Sequence, residues 1–221
     1  MTTWGVARYI VAWGIGLWAG GCLLIHLADR WRRRYRRGPA PTWANAWLDN
    51  PLRRWWSPPD PTLAQADLAP GQQVLEIGPG PGYFTPHIAR RIAPSGRVIA
   101  LEINPVLLRR ALSATEQAGL TLWVQGIQAN ALTSPLRDDS VDRALLITVL
   151  GEIPVPVTLF RELHRVLRSG GVVLVVEEWV DAGFSPSGRV LAWSAQAGFT
   201  LLRRDGRPWR YALLLGKEGG V

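Results

Sequence analysis

The pattern of hydrophobic positions changes twice along the chain. Residues 9–28 form a continuous apolar run in which His26 is the only potentially charged side chain. Residues 38–60 are interrupted by prolines and carry several tryptophans. From residue 61 onward, short apolar runs alternate with stretches of helical periodicity, which is typical of parallel strands joined by crossover helices. The pattern therefore predicts three regions, at residues 1–37, 38–60 and 61–221.

The third region predicts a doubly wound α/β domain. Asp205-Gly206 stands between two apolar runs and predicts the turn of an antiparallel hairpin at the end of the chain. The last helix before the fifth strand is expected to end at the sequence RSGG, because glycine often follows the last helical residue. Strands are expected at 73–78, 97–102, 122–128, 142–148 and 171–177, with helices at 83–92, 105–117, 155–167 and 187–197.

The apolar run at 9–28 has the length of a transmembrane helix. Twenty residues at about 1.5 Å each cover the roughly 30 Å hydrocarbon layer of a bilayer. The arginine-rich stretch 30–37 follows directly, and positive flanks stay on the cytoplasmic side. We expect a single-pass membrane anchor with everything after residue 30 in the cytoplasm. A cleaved signal peptide and a buried core helix remain as alternatives, and Ala12, Gly16 and Gly20 could pair two such helices into a homo-oligomer.

The segment 38–60 predicts a linker or lid, because prolines at this density prevent long regular elements. Its tryptophans, Trp43, Trp47, Trp55 and Trp56, could rest at the headgroup level of a bilayer or cover a hydrophobic flank of the domain that follows. The two readings are compatible, and the sequence leaves both open.

The distribution of charge and the cysteine content bear on three possibilities: nucleic-acid binding, disulfide bonds and a metal site. The net charge is +8, and residues 1–40 hold seven arginines against the single acid Asp29, so that residues 41–221 are nearly neutral. This distribution argues against a nucleic-acid-binding face on the domain. The single cysteine, Cys22, allows no internal disulfide, and no Cys/His cluster has the spacing of a zinc site. We therefore expect no metal.

The sequence VLEIGPGPGYF (74–84) places three glycines between a predicted strand and a predicted helix, where a ligand can approach the backbone closely. The spacing G-x-G-x-G differs from the G-x-G-x-x-G of dinucleotide-binding folds. Glu76 stands just before the loop and would repel a diphosphate but favour a cation such as a sulfonium. Glu102 ends the next strand, where a carboxylate can accept both hydrogens of a ribose diol. These residues describe an adenosine nucleoside with a cationic tail.

Four stretches of the chain, in order, carry a family resemblance. From about 60 to 217 the chain resembles the class I S-adenosylmethionine-dependent methyltransferases, in particular the small-molecule group similar to ubiquinone/menaquinone methyltransferases (type 11). The resemblance implies a Rossmann-like sheet of seven strands in the order 3-2-1-4-5-7-6, with the last strand antiparallel, and S-adenosyl-L-methionine as the cofactor. The stretches are VLEIGPGPGYFT (74–85), VIALEINP (98–105), SVDRALLITVLGEIP (140–154) and ELHRVLRSGGVVLVVEE (162–178).

The resemblance also implies roles for single residues. The backbone of the glycine loop would contact the methionine part of the cofactor, with Glu76 beneath it. Glu102 would hold the ribose and Ile103 would pack on the adenine. The loop residues so implied are Gly78, Pro79, Gly80 and Gly82.

After the third and fourth strands the resemblance implies a second set of residues. Asn130, beside Ala131, replaces an aspartate that receives the adenine amino group, and Thr148 would face the sulfonium and the acceptor. Glu152 is the best-placed carboxylate for a general base. Glu177 or Glu178, at the end of the fifth strand, could line the acceptor pocket.

The expected activity is methyl transfer by in-line displacement to a small, apolar or lipid-like acceptor. The sequence GEIP (151–154) stands where methyltransferases that act on amino groups of nucleic-acid bases carry an Asn-Pro-Pro-Tyr-like motif, so no nucleic acid is expected as substrate. Two other functions stay open. One is a non-catalytic, nucleoside-binding membrane module, and the other is an NAD-dependent oxidoreductase, which the G-x-G-x-G spacing disfavours.

Overall fold

The computed structural model describes residues 57–217, together with Ala28 and Trp31 as single helical positions. The remainder of the predicted membrane span 9–28, and most of the segment 38–60, lie outside the described residues. Within the part of the chain that is described, no helix is long and apolar enough to cross a membrane. The membrane anchor therefore stays a prediction.

One seven-stranded sheet forms the centre of the domain, with the strand order β3-β2-β1-β4-β5-β7-β6. Strands β1 to β5 pair in parallel, and β7 runs antiparallel to both of its neighbours. This confirms the predicted strand order and the antiparallel last strand. The strands are β1 (Gln73–Ile77), β2 (Arg97–Glu102), β3 (Val124–Gln128), β4 (Val141–Ile147), β5 (Leu167–Glu178), β6 (Phe199–Arg207) and β7 (Arg210–Lys217).

Helices cover both faces of the sheet. Successive strand residues point to opposite faces, so Leu75 of β1 packs into one apolar cluster with Leu163, and Val74 packs into the other with Ile88. A proline at the first helical position begins several helices, because its fixed φ suits that position and its missing N–H is not needed there. The helices are α1 (Pro59–Leu63), α2 (Thr85–Ile92), α3 (Pro105–Gln117), α4 (Pro156–Val166) and α5 (Ser187–Ala195).

The helix before β5 ends within one residue of its predicted end, but the prediction that RSGG caps it is wrong. Helix α4 ends at Val166, and Leu167 already has an extended backbone with φ −72° and ψ 137°. In the β4–β5 pairing, Val141 lies opposite Leu167 and Arg143 lies opposite Val172. The RSGG residues are therefore extra residues within the ladder, and they bulge out of it instead of capping the helix.

The predicted position of the hairpin turn is also wrong. Asp205 and Gly206 lie within β6, paired with Ala212 and Tyr211, and the turn is formed by residues 208–209. Gly206 has φ +99°, and a Cβ built on it would lie 2.8 Å from Cα of Tyr211. The glycine therefore allows a close approach of the two strands just before the turn. A proline at residue 208 suits the first central position of a turn because its φ is fixed.

Candidate functional site

The glycine loop after β1 has a backbone that only glycine adopts without strain. Gly78, Gly80 and Gly82 have φ values of +65°, +59° and +91°. A Cβ built on Gly78 would lie 2.6 Å from Cγ2 of Val149, and one built on Gly82 would lie 2.6 Å from Cα of Ala111. The loop is therefore enclosed by α3 on one side and by the segment after β4 on the other.

Glu76 lies near the end of β1, two residues before Gly78. Its side chain is buried, and Oε2 accepts a hydrogen bond of 2.7 Å from the hydroxyl of Thr85 at the start of α2. The hydrogen bond holds the carboxylate at the base of the loop, where its negative charge favours a cation above it. The role of Thr85 was not predicted, although a hydroxyl at the first position of the helix after the loop was visible in the sequence.

Glu102 connects the glycine loop to the segment after β2. The residue is buried. Its Oε2 accepts from the N–H of Gly80 at 3.3 Å and its Oε1 accepts from the N–H of Asn104 at 2.9 Å. Burial raises the pKa of the Glu102 carboxyl, and hydrogen bonds from Asn104, Gly80 and Ile103 offset part of this rise. Both predicted acids therefore lie at the glycine loop.

The residues predicted to hold adenine lie at the same edge of the sheet. Ile103 directly follows Glu102, and 49% of its surface is exposed. The N–H of Ala129, just after β3, donates to the carbonyl of Glu102 at 3.2 Å. Asn130 is exposed, but its Oδ1 already accepts from the N–H of Leu132 at 2.9 Å. Ala131 is buried in an apolar cluster, so that its side chain belongs to the core.

The segment after β4 forms the opposite wall. Thr148 has φ +54°, a conformation that costs a residue with a Cβ about 1–3 kcal/mol and that is often found at functional sites. Its N–H donates to the carbonyl of Val176 at 2.8 Å, which holds it against β5. Glu152 ends the short 3-10 helix Leu150–Glu152 and is half-buried. It therefore lies in the segment that follows the carboxyl end of β4.

Glu177 and Glu178, the candidates for the acceptor pocket, make contacts within the domain. Both are buried. The Oε2 of Glu177 accepts from the N–H of Ser185 at 2.7 Å. The Oε1 of Glu178 forms an ion pair of 3.1 Å with Nε of Arg210. Burial, with the nearby charge of Glu177, raises the pKa of the Tyr211 hydroxyl, which donates to the carbonyl of Ser185. One oxygen of each carboxylate is therefore engaged by the domain itself.

The residues present fit a sulfonium nucleoside. The positive φ values of the loop form a concave backbone that a ligand can approach closely. The Glu102 carboxylate lies at the edge of this backbone with hydrogen-bond partners on the chain itself, and Ile103 offers an exposed apolar side chain beside it. A diphosphate would face two carboxylates here, an arrangement that Coulomb repulsion disfavours.

Comparison with known proteins agrees with this geometry. Residues 75–175 match the family model described as a methyltransferase domain. The ubiquinone/menaquinone biosynthesis C-methyltransferase UbiE of Coxiella burnetii is 27% identical over 126 residues, covering 57% of this chain and 50% of that protein. The sterol methyltransferase-like 3 of Botryococcus braunii is 27% identical over 196 residues, covering 86% of this chain and 47% of its own. The chain thus spans about half the length of the curated relatives it matches.

Solved structures share the fold. A SAM-dependent methyltransferase from Aquifex aeolicus superposes with a TM-score of 0.74 at 20% identity, covering 81% of this chain and 100% of that one. The [4+2]-cyclase SpnF superposes with a TM-score of 0.65 at 19% identity, covering 73% and 80%. The second likeness shows that the fold alone does not fix the reaction. The family match over residues 75–175 and the shared fold together support a class I, small-molecule S-adenosylmethionine-dependent methyltransferase.

Proposed function

We propose that this protein is a membrane-anchored methyltransferase that uses S-adenosyl-L-methionine and acts on a small, apolar or lipid-like acceptor. The observation that carries the proposal is the position of Glu102, whose carboxylate reaches the glycine loop at Gly80 and the segment after β2 at Asn104. A carboxylate in this place distinguishes a nucleoside diol from a diphosphate, because it accepts hydrogen bonds and repels negative charge.

Each part of the site has a distinct role in this proposal. Backbone groups of Gly78, Pro79, Gly80 and Gly82 hold the methionine part of the cofactor, which supplies an activated methyl group when bound. Glu102 accepts from the ribose, Ile103 packs on the adenine, and Asn130 and Ala131 border it. Because the donor is already activated, the remaining task of the chain is to orient the acceptor and exclude water.

The acceptor side of the site is formed by the segment after β4. Thr148 faces the acceptor in this proposal, and its strained backbone is held by the hydrogen bond to Val176. Glu152 lies a short way along the same segment and is proposed to receive a proton from an acceptor that must lose one. An acceptor that carries no such proton would not need this carboxylate.

The membrane part of the proposal is supported by the place where the chain enters the domain. The hydroxyl of Tyr83, next to the glycine loop, donates to the carbonyl of Ser57 at 3.1 Å. Ser57 therefore lies beside the site. The match to the sterol methyltransferase-like protein covers 86% of this chain and so reaches into the segment before Ser57. A tether at 9–28 and a lid at 38–60 would then let an apolar acceptor enter from lipid into a domain on the cytoplasmic side.

Methyl transfer into membranes tests this function. The full-length protein is incubated with a membrane extract and S-adenosyl-L-methionine labelled in its methyl group, and the labelled product is identified by mass spectrometry. We expect label in a lipid-phase molecule, and calorimetry should show binding of S-adenosyl-L-methionine but not of NAD. Binding without any labelled product would favour the non-catalytic nucleoside-binding module, and binding of NAD alone would favour an oxidoreductase.

A further inference from the structure

The carboxyl edge of the sheet carries an exposed pair of tryptophans that the proposed site does not use. Trp179 directly follows β5, and Trp209 lies in the β6–β7 turn. The N–H of Trp179 donates to the carbonyl of Trp209 at 2.7 Å. Trp179 is 53% exposed, Trp209 56% and the neighbouring Val180 43%. Large apolar side chains that are exposed together, unlike single ones, mark interaction sites.

Arginine accompanies the tryptophans. The guanidinium of Arg207 lies 5.5 Å from the ring centroid of Trp209. We define the tryptophan surface as Trp179, Val180, Arg207 and Trp209. The adjacent part of β6, residues 203–207, has the exposed sequence RRDGR, with three arginines and one aspartate. Tryptophan prefers the headgroup level of a bilayer, and arginine beside it can reach lipid phosphates.

The tryptophan surface lies on the same edge as the proposed cofactor site. Strand β5 neighbours β4 and is followed by β7, and strands are about 4.8 Å apart. The surface therefore begins roughly 5–10 Å along the edge from the end of β4, where Thr148 lies.

The base of the surface is fixed to the helix at the start of the domain. Arg210 pairs with Glu178 at 3.1 Å and donates to the hydroxyl of Thr62 in α1 at 3.0 Å. Helix α1 begins two residues after Ser57, the residue bonded to Tyr83. Ser57 and the tryptophan surface therefore lie at the same edge of the domain.

We propose that the tryptophan surface lies on a bilayer that contains anionic lipid and turns the carboxyl edge of the sheet toward the membrane. Paired tryptophans suit the headgroup level of a bilayer and the arginine beside them matches an anionic phosphate, so the occupant that we name is a lipid surface. This contact rests on the proposed function in one respect: it brings the site to the membrane, where a lipid-like acceptor would be found. It is made by the folded domain and is independent of the predicted span at 9–28.

Site-specific quenching tests this contact in the full-length chain. Cys22 is replaced by serine, and a fluorophore is attached at Val180→Cys or, as the matched control, at Ser169→Cys, an exposed position at the opposite edge of the sheet. The protein is reconstituted in vesicles of phosphatidylcholine with phosphatidylglycerol that carry a headgroup nitroxide. We expect quenching at position 180 to exceed that at 169 by about two-fold or more. Vesicles of phosphatidylcholine alone should reduce this difference.

Charge variants separate electrostatic docking from chance proximity. Arg207→Glu should lower the quenching at position 180, whereas Arg97→Glu, an exposed arginine at the amino end of β2, should leave it unchanged. Circular dichroism verifies that each variant is folded, and Arg207→Gln repeats the test with a milder change. Equal quenching at 169 and 180 would overturn the inference. A second result would also overturn it: a label at position 180 that an aqueous quencher cannot reach and that the headgroup nitroxide does not quench. Such a label would be covered by a protein partner and not by lipid.

The tether of the proposed function is tested separately on the same vesicles. Extraction of the chain by alkaline carbonate would contradict the span at 9–28. The comparison of positions 180 and 169 would still report on the tryptophan surface in neutral buffer, because that surface depends on lipid charge and not on a span. Neither measurement depends on methyl transfer. A protein that fails to transfer methyl groups can therefore still show membrane contact at the tryptophan surface, and the two proposals fail independently.

Discussion

At the scale of single residues, the two acids of the site occupy different environments. Glu76 is held by the hydroxyl of Thr85 below the glycine loop. Glu102 accepts hydrogen bonds from backbone N–H groups, including those of Gly80 and Asn104. A carboxylate held by backbone donors stays in place without a cationic partner that would compete for its charge. Glu102 is therefore suited to receive hydroxyl groups of a ligand.

Substitution of Glu102 tests this role. Because hydrogen bonds to charged groups contribute more than neutral ones, Glu102→Gln should weaken binding of S-adenosyl-L-methionine roughly ten- to hundred-fold at neutral pH. Glu116→Gln, an exposed glutamate on α3, is the matched control and should leave affinity unchanged. Calorimetry measures both. Unchanged affinity in Glu102→Gln would contradict the assignment of the ribose site.

The same residue predicts a pH dependence. Burial raises the pKa of Glu102 above the ordinary 4.5. Because the pKa is higher in the folded protein than in the unfolded chain, protonation of Glu102 stabilises the fold. In the cofactor-free protein this stabilisation is fully present below pH 4.5 and is lost as pH rises through the raised pKa. Cofactor binding has the opposite sign, because it requires the ionised form. Affinity should therefore weaken as pH falls through the raised pKa in the wild type and stay flat in Glu102→Gln.

The sequence predicted the acids and the glycines, but not their partners. The spacing of Glu76 and Glu102 around a strand–loop–helix pattern is local information, and the structure confirms that both lie at the loop. Glu177 and Glu178 have the same local signal, yet tertiary contacts with Ser185 and Arg210 use both carboxylates. Contacts between distant segments decide these cases, and no local pattern contains them.

At the scale of elements, the segments at the carboxyl edge hold one another in place through glycines. The side chain of Val149, after β4, fills the space beside Gly78 in the loop after β1. A Cβ built on Gly183, after β5, would lie 2.6 Å from Cα of Gly151, after β4. The donor side and the acceptor side of the proposed site are therefore in direct contact, so that a shift of one displaces the other.

A double-mutant cycle tests the contact between Gly78 and Val149. Gly78→Ala introduces both a left-handed alanine and a steric clash, and should lower the free energy of unfolding by about 2–4 kcal/mol. Val149→Ala in the same chain removes the clash but not the backbone strain. The double variant should therefore be more stable than the sum of the single changes, by about 1–2 kcal/mol in denaturant unfolding.

Gly82→Ala serves as the control for that cycle. Its new Cβ would meet the backbone of Ala111, which Val149→Ala leaves in place. We expect no recovery in the combination of Gly82→Ala with Val149→Ala. Equal recovery at both glycines would show that the side chain of Val149 is not the obstacle at Gly78.

Element boundaries were predicted well where the signal was periodic and poorly where it rested on glycine alone. Helix α3, Pro105–Gln117, has the predicted bounds. In contrast, RSGG was read as a helix end and Asp205-Gly206 as a turn, and both lie in strands. Glycine in a sequence indicates either an unusual backbone conformation or a close approach of two chain segments. Both occur in β-bulges and between closely spaced strands as well as in helix caps and turns, so glycine alone does not tell these structures apart.

At the scale of the whole molecule, the sheet brings to one edge residues that are far apart in the sequence. The parallel direction of β1, β2 and β4 places the loops after them side by side, and the antiparallel β7 adds the β6–β7 turn to the same edge. The alternation of strand and helix patterns predicted this arrangement, and the family resemblance supplied the strand order. The tryptophan surface was not predicted, because its members are close only after β7 has paired with β5.

The division of the chain into a basic N-terminal part and a nearly neutral domain gives the last prediction. All residues proposed to bind the cofactor lie between Glu76 and Thr148, so deletion of residues 1–38 should change the affinity for S-adenosyl-L-methionine by less than about two-fold. The tether in the proposed function acts by raising the effective concentration of an acceptor in the bilayer. Its loss should therefore lower transfer to membrane-embedded acceptors roughly hundred-fold, while transfer to a water-soluble analogue is kept. Equal loss with both acceptors would mean that the deletion damages the domain, and undiminished transfer to membranes would show that residues 1–38 do not deliver the substrate.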